Sequence, residues 1–382
     1  MPVPDAWLGL NAAPGIGPVR FHQLLRAWPR LDEALGVGAA RLASRLPFLD
    51  AASAGTLLKA WEAFDVQGEL HRAGELGVRL ISFRDVDYPK RLLAVPTPPP
   101  LHYVRGQLPP DQARCVAVVG TRRPTAYGLD CATRLAGDLA RAGVAVVSGL
   151  ARGIDAAAHL ACLEAGGQTL ACLGNGLAST YPGEHAGLAG RIVESGGAVL
   201  SQFPLGAGPS RMHFPMRNGL IAGLSQGVLV VEVERDSGSL ITADLALDLG
   251  RDVYAVPGPV NAPMSEGPLA LIAEGARLVR SVKDVLEELQ GERPAPRSRQ
   301  SAPEAPVLEP LLFFQPQDER QRRLLEPLRG AAPLALDEWG SRCGLDAQGV
   351  SAAALELELL GAVRQVAGGR YELASAQPAP SL

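Results

Sequence analysis

The sequence predicts an α/β protein: a doubly wound parallel sheet at the centre, a helical unit before it and a small winged-helix-like unit after it. Three observations lead there. From 115 to about 290, apolar runs alternate with helical segments, the order that packs as a parallel sheet with right-handed crossovers. The run Cys115-Val116-Ala117-Val118-Val119 is apolar throughout and stops at Gly120, as a strand buried on both faces should. Proline-rich stretches at 96–110 and 291–319 then set this region apart from what flanks it.

Taken in order, residues 1–80 read as a helical domain. Pro14-Gly15-Ile16-Gly17-Pro18 opens an amphipathic segment beginning Val19-Arg20-Phe21. Such a G-x-G turn resembles a helix-hairpin-helix or SAM-like unit. Its backbone N–H groups suit a DNA phosphate, with Arg20, Arg26 and Arg30 nearby, and they suit equally a plain packing module. The prolines of 96–110 predict a stiff extended connector and a first boundary. Within the central domain, 81–290, strands are expected near 115–120, 144–148, 168–173, 198–202, 227–233 and 252–256. Helices are expected near 127–142, 153–166, 185–195, 215–224, 239–249 and 267–275. Residues 291–319 read as a flexible linker. Residues 320–374 hold helices near 320–329, 337–343 and 346–360 and then a hairpin turned at Gly368-Gly369, a winged-helix-like order. The tail 375–382 reads as disordered.

Composition narrows the function classes. The chain has 382 residues, 47% hydrophobic and 20% charged, with a net charge of −4. A nucleic-acid site must therefore be a local basic patch. Lys59, Lys90 and Lys283 are the only lysines, so nearly all the 36 basic residues are arginine. The five cysteines lack a C-x-x-C pair and read as small buried residues rather than disulfides or metal ligands. No signal peptide and no bilayer-length apolar run is evident, so the expected location is the cytoplasm, away from membranes.

In a doubly wound sheet the ligand sits at the carboxyl ends of the strands. The loops there are Gly120-Thr121-Arg122-Arg123, Ser148-Gly149-Leu150-Ala151-Arg152-Gly153, Gly174-Asn175-Gly176 and Ser237-Gly238-Ser239. All are small, polar and glycine-containing. Glycines let a ligand approach the main chain, helix amino termini offer N–H groups, and arginine forks suit phosphate. The alternative is that these glycines serve ordinary turns. The strand–G-x-G-x-x-G pattern and the P-loop are both missing, so no nucleotide cofactor is expected. Asp155 and His159 stand one helical turn apart, and a capping carboxylate with a packed imidazole accounts for them better than a metal or acid–base pair. No G-x-S-x-G elbow supports a serine triad.

The segment Phe203–Arg217 places Arg211, His213 and Arg217 around Phe214 in a chain with only 5% aromatics. A base can stack on such a ring while arginines follow the backbone. Equally, the ring can anchor the loop to the core. Tyr127 and Tyr181 in neighbouring loops are further candidate platforms.

The motifs V-A-V-V-G-T-R, S-G-L-A-R-G-I-D with His159, G-N-G followed by Tyr181-Pro182, F-P-M-R-N, S-G-S-L-I-T-A and Val256-Pro257-Gly258 occur in this order. Together with Asp87-Tyr88-Pro89 ahead of them, they resemble the core of the DprA family of DNA-processing proteins, strongly over 80–290. The resemblance implies an extended Rossmann fold that binds single-stranded DNA, protects it, dimerises and loads the RecA recombinase in natural transformation, without catalysis. Single-strand-binding protein is a further implied partner. By motif, Arg122 would hold a phosphate and Phe214 would stack on a base. Arg211 would be the neighbouring phosphate cation, and Arg152, Arg217 and Asn218 would be further DNA contacts. Gly120, Thr121, Ser148, Gly149, Asn175, Gly176, Ser237, Gly238 and Ser239 would line the groove. Two departures are Gly183 and Gly219, where many members carry lysine and arginine, which implies a less positive pocket. The third helix of the closing unit carries Asp346, Glu356 and Glu358 and no cation, so a protein-interaction or regulatory role fits it better than duplex binding. Two rival classes remain in view: a nucleotide or nucleotide-sugar hydrolase on the same phosphate rim, and a transcriptional regulator acting through the tail.

Overall fold

The computed structural model describes residues 3–290 except 47 and 236, and beyond them 323–328, 334–346, 349–351, 353–354, 357, 363–366 and 370–373. The chain forms two compact units, divided at 294/295.

The first unit is organised by a nine-stranded sheet. Its strands are β1 (Val78–Ser82), β2 (Leu101–Gly106), β3 (Cys115–Val119), β4 (Ala145–Ser148), β5 (Thr169–Cys172), β6 (Ala198–Ser201), β7 (Gly227–Val230), β8 (Asp252–Ala255) and β9 (Arg277–Leu278), in the order β1-β2-β6-β5-β4-β3-β7-β8-β9. All pairings from β6 to β9 are parallel, with Ala117 opposite Val147 on one side and Val228 on the other. β3 through β5, β6 and β7 are buried at every position, which is why they read as largely apolar runs, with Ser148, Thr169 and Ser201 the buried polar exceptions. The chain winds from β3 outward through β4, β5 and β6, then returns to β7 on β3's other side and winds the opposite way. Strand order therefore reverses between β3 and β7, where an open α/β sheet leaves a crevice.

Six helices before the sheet are α1 (Asp5–Ala12), α2 (Pro18–Ala27), α3 (Leu31–Leu35), α4 (Ala39–Arg45), α5 (Ala51–Glu62) and α6 (Val66–Glu75). Later come α7 (Lys90–Leu93), α8 (Ala126–Arg141), α9 (Ile154–Glu164), α10 (Ala186–Glu194), α11 (His213–Leu224), α12 (Leu240–Asp248), α13 (Glu266–Ala273) and α14 (Val282–Gln290). The expected central helices and strands all form within a few residues of their sequence positions.

Three features differ from the sequence reading. The sheet is not wholly parallel: β1 and β2 form an antiparallel flank against β6. The supposed connector 96–110 contains β2, whose Leu101, Tyr103 and Val104 are fully buried. Its prolines fall at 96–100 and 109–110, on either side of the ladder, so they interrupt no strand hydrogen bond. Finally, the front helices share a core with that flank: Trp7, Phe21 and Leu24 belong to one cluster with Tyr103, Val199 and Leu205. Polar contacts cross the same junction. Asn11 Nδ2 donates to the Gln202 carbonyl at 3.1 Å, and the Glu69 carboxylate accepts the Leu205 N–H at 2.7 Å. β9 and α14 were not anticipated, the former because two residues carry no period.

In the second unit, β10 (Leu334–Ala335), β11 (Val363–Val366) and β12 (Arg370–Leu373) form an antiparallel sheet ordered β10-β12-β11. Helix Leu336–Cys343 packs on it through Trp339, whose Nε1 donates to the Leu324 carbonyl at 2.8 Å. The 291–319 linker, the 375–382 tail, the Gly368-Gly369 turn, Glu356 and Glu358 lie outside the described residues.

Candidate nucleic-acid interface

At the reversal between β3 and β7 lies an open cleft of about 540 Å³. Its floor is the carboxyl end of β3. The loop from Gly120 to Thr125 is held from beneath by Glu232, a buried acid just past β7. The Glu232 carbonyl accepts the Thr121 N–H at 2.6 Å. Its carboxylate accepts the Thr125 N–H at 2.9 Å and hydroxyl at 2.6 Å. Ser239 Oγ donates to the Gly120 carbonyl at 2.8 Å, and Asn218 Nδ2 donates to the Gly238 carbonyl at 3.1 Å. Gly120 has no room for a side chain, since a Cβ would stand 2.7 Å from Ile154 and 2.8 Å from the Glu232 carbonyl. The loop is thus anchored on its inner side and presents Arg122 and Arg123, both exposed, on its outer side.

Across the cleft, Arg211 is exposed and the first turn of α11 carries Phe214. Neither Arg122 nor Arg211 forms an ion pair with a described residue. The Phe214 ring is half-buried and rests on Gly174, where a Cβ would come within 2.9 Å of it. The Arg122 guanidinium lies 5.3 Å from the ring centroid and that of Arg217 5.9 Å, close enough for cation–π attraction. Tyr181 stands at 6.1 Å, tilted by 47°.

Beneath Phe214 sits a charged pair. Arg217 is only 6% exposed and lies 3.8 Å from the Asp155 carboxylate. Asp155 also accepts the N–H groups of Gly149 (3.1 Å) and Ala151 (3.4 Å). Burial pushes the Asp155 carboxyl above its ordinary range, and Arg217 and the two N–H groups oppose that rise. Gly149 is required here because a Cβ would overlap the Arg217 guanidinium. Between them, Leu150 adopts φ +57°, a left-handed conformation that a leucine rarely takes.

The cleft thus brings together Gly120, Thr121, Arg122, Arg211 and Phe214 with Arg217, Asn218, Ser237, Gly238 and Ser239. Of the five other expected rim residues, Gly149 and Arg152 line a small pocket beside Arg122, Phe214 and Arg217, whereas Ser148, Asn175 and Gly176 are buried. Ser148 is fully buried and donates to the Val118 carbonyl at 2.7 Å. The amide of Gly149 is taken by Asp155. Asn175 is 1% exposed and bonds the carbonyls of Gly176 (3.0 Å) and Ser179 (2.8 Å). Gly176 packs against the Pro204 and Leu205 carbonyls. Arg152 is exposed but paired with Glu184 at 2.5 Å. Apart from Arg152, these residues look inward because their polar groups satisfy one another, and the second loop's anion nest is filled by the chain's own carboxylate.

Other positions also differ. His213 does not face Phe214; it stacks on Phe203 at 4.0 Å on the opposite side of the helix. Tyr127 spends its hydroxyl on the Pro257 carbonyl at 2.6 Å. His159 is a core histidine, bonded through Nδ1 to Thr169 Oγ1 at 2.7 Å, and burial holds its pKa near 3. Asp155 is not a helix cap, since Gly153 takes that position. Sequence reasoning missed Glu232 and Glu234, the first a loop brace and the second a cleft-lining acid. An acid directly after an apolar strand was the available clue.

A Rossmann-like sheet with a basic, aromatic-bearing cleft at its reversal point defines the class of protein. Residues 79–290 match the family described as DNA recombination-mediator protein A, and residues 293–369 match the DprA winged helix domain. Protein Smf of Escherichia coli (strain K12) is 41% identical over 290 residues, 75% of each chain. DNA processing protein DprA of Bacillus subtilis is 40% identical over 216 residues, 56% of this chain and 72% of that one. The crystal structure of DprA from Streptococcus pneumoniae superposes with a TM-score of 0.64 at 33% identity, covering 75% of this chain and 99% of that chain. DprA from Helicobacter pylori, solved for its single-stranded-DNA binding mode, gives 0.50 at 27% identity over 56% and 97%. The chain belongs to the DprA/Smf family, which processes DNA in recombination.

Proposed function

We propose that the cleft between β3 and β7 binds single-stranded DNA without reading its sequence, and that the chain acts as a recombination mediator. The observation that carries this is Phe214: a half-buried ring seated on Gly174, flanked by Arg122 and Arg217, in a cleft whose exposed Arg122 and Arg211 have no acidic partner among the described residues. An aromatic face accepts any base, and guanidiniums at its edge accept the adjoining phosphates. Arg217 charges the floor without reaching the surface. Support for single-strand binding also comes from the Helicobacter pylori relative.

The reading is binding rather than turnover. Asp155 and His159, the acid and imidazole of the best-placed loop, are both buried and committed to internal partners. Delivery of the bound strand to RecA, cooperation with single-strand-binding protein and pairing of two copies through the central domain extend the proposal on family membership.

The deciding experiment compares single-stranded and duplex oligonucleotides with the full chain across a salt series. Tighter binding of single strands, similar for unrelated sequences and weakening with salt, is expected. Equal binding of both forms, or release of base or phosphate from the bound strand, would overturn the proposal.

A further inference from the structure

A second cavity, of about 870 Å³, opens on the other side of the segment that carries Phe214. We propose that it holds the continuation of the same strand, so that single-stranded DNA crosses from the β3–β7 cleft over the start of α11 to the front helices. This rests on the binding reading above.

The segment 211–217 is a ridge with two faces. Arg211, Phe214 and Arg217, spaced three apart, line the first cleft. Met212, His213 and Met216 line the second cavity. Helical spacing makes this division, since residues three or four apart share a face. One short ridge therefore walls both spaces, and Met212 on it is 77% exposed.

The far wall is the turn between α1 and α2, with Ile16, and Phe64 near α6. Together with Phe203 and the two methionines, these give the broad apolar surface that unstacked bases require. Cations stand at the margin. Arg72 is exposed and makes no ion pair with a described residue. Arg20 lies over the Phe48 ring at 5.1 Å and donates to the Gly15 carbonyl at 2.8 Å. The two acids on this wall are committed: Asp65 accepts the Gly68 N–H at 2.9 Å as the cap of α6, and Glu69 is buried against the Leu205 N–H. His213 Nδ1, on the wall shared with the cleft, is buried and has no hydrogen-bond partner among the described residues. Apolar walls with a free cation at the edge suit bases inside and phosphates outside.

The test uses the full chain and two oligothymidylates, one of about 5 and one of about 16 nucleotides, near the limits of single-strand site sizes. In the double variant Arg72→Glu/Met212→Glu both altered side chains are exposed, so the fold is retained. The long oligomer should lose about tenfold in affinity and show a shallower salt dependence, while the short one, satisfied by the first cleft, should bind as before. Unchanged binding of the long oligomer would overturn the proposal. An equal loss for both lengths would also do so, because the ridge itself would then be disturbed. Loss of RecA delivery with DNA binding intact would assign the cavity to a protein instead. If the unaltered chain binds neither oligomer, the binding reading itself fails, a result distinct from the others.

Discussion

The loops after β3 and β4 are nearly alike on paper. One reads Gly-Thr-Arg-Arg, the other Ser-Gly-Leu-Ala-Arg-Gly, and both lead into helices at the same edge of the sheet. In the fold they do opposite things. The first is tied from below by Glu232 and turns its arginines outward. The second folds its N–H groups onto Asp155, tucks Ser148 into the core and supports Arg217. The difference teaches that glycine, small polar residues and arginine at a strand end identify a rim, but the position of the nearest buried acid decides which way the rim faces. An acid beneath a loop frees its outer side, whereas an acid at the loop's own helix start consumes its donors.

The contrast breaks most severely at Arg217. Arg217→Ala leaves the Asp155 carboxylate buried without its counter-charge, and the expected loss is about 3 kcal/mol of stability, read from denaturant midpoints. This loss should depend on pH. Burial already raises the Asp155 pKa in the folded chain, and removing Arg217 removes a group that opposes the rise. A carboxyl with a raised folded pKa binds more protons folded than unfolded, so stability is lost as pH rises from the ordinary aspartate range through the raised value. The deficit against the unaltered chain should therefore shrink on acidification. A deficit that is constant or grows towards low pH would remove the charged pair from the account.

Phe214→Ala comes next. Losing one stacked base should weaken single-strand binding by about 1–3 kcal/mol, roughly five- to 150-fold, with the salt slope little changed. A large slope change would mean that the ring chiefly orders the arginines. Arg122→Ala should weaken unrelated oligonucleotides by a common factor and reduce the salt slope by about 0.7, the contribution of one phosphate on a single strand. Sequence-dependent losses, or an unaltered slope, would argue against a phosphate contact. The smallest effect is expected at Arg152. Its guanidinium is exposed but already paired with Glu184, so Arg152→Ala should leave single-strand affinity close to that of the unaltered chain. A drop matching Arg122→Ala would make the two loops equivalent after all.

Much of the central fold was legible because burial leaves a direct mark. Strands covered on both faces are largely apolar, with any polar residue hydrogen-bonded inside, and β3 to β7 announce themselves that way. β2 did not, since the prolines on either side of it suggested a connector and nothing local reveals that Tyr103 packs with the front helices and Val104 with the core on the other face of the sheet. In the candidate site, Arg122, Arg211 and Phe214 were readable as a cation–aromatic group. Arg217 looked the same as its neighbours, yet three residues along a helix from Phe214 it points to the floor rather than the opening.

The sequence by itself determined the alternation of strand and helix, the edge of the sheet at which polar glycine loops gather, and the family. These follow from periodicity and residue chemistry within short windows. Only the tertiary structure decided which glycines face a ligand and which make room for the chain's own side chains. Gly149 and Gly174 are small because Arg217 and Phe214, each dozens of residues away, occupy the space a Cβ would need. Steric exclusion between distant segments exists only once the chain has folded, so no local pattern can record it.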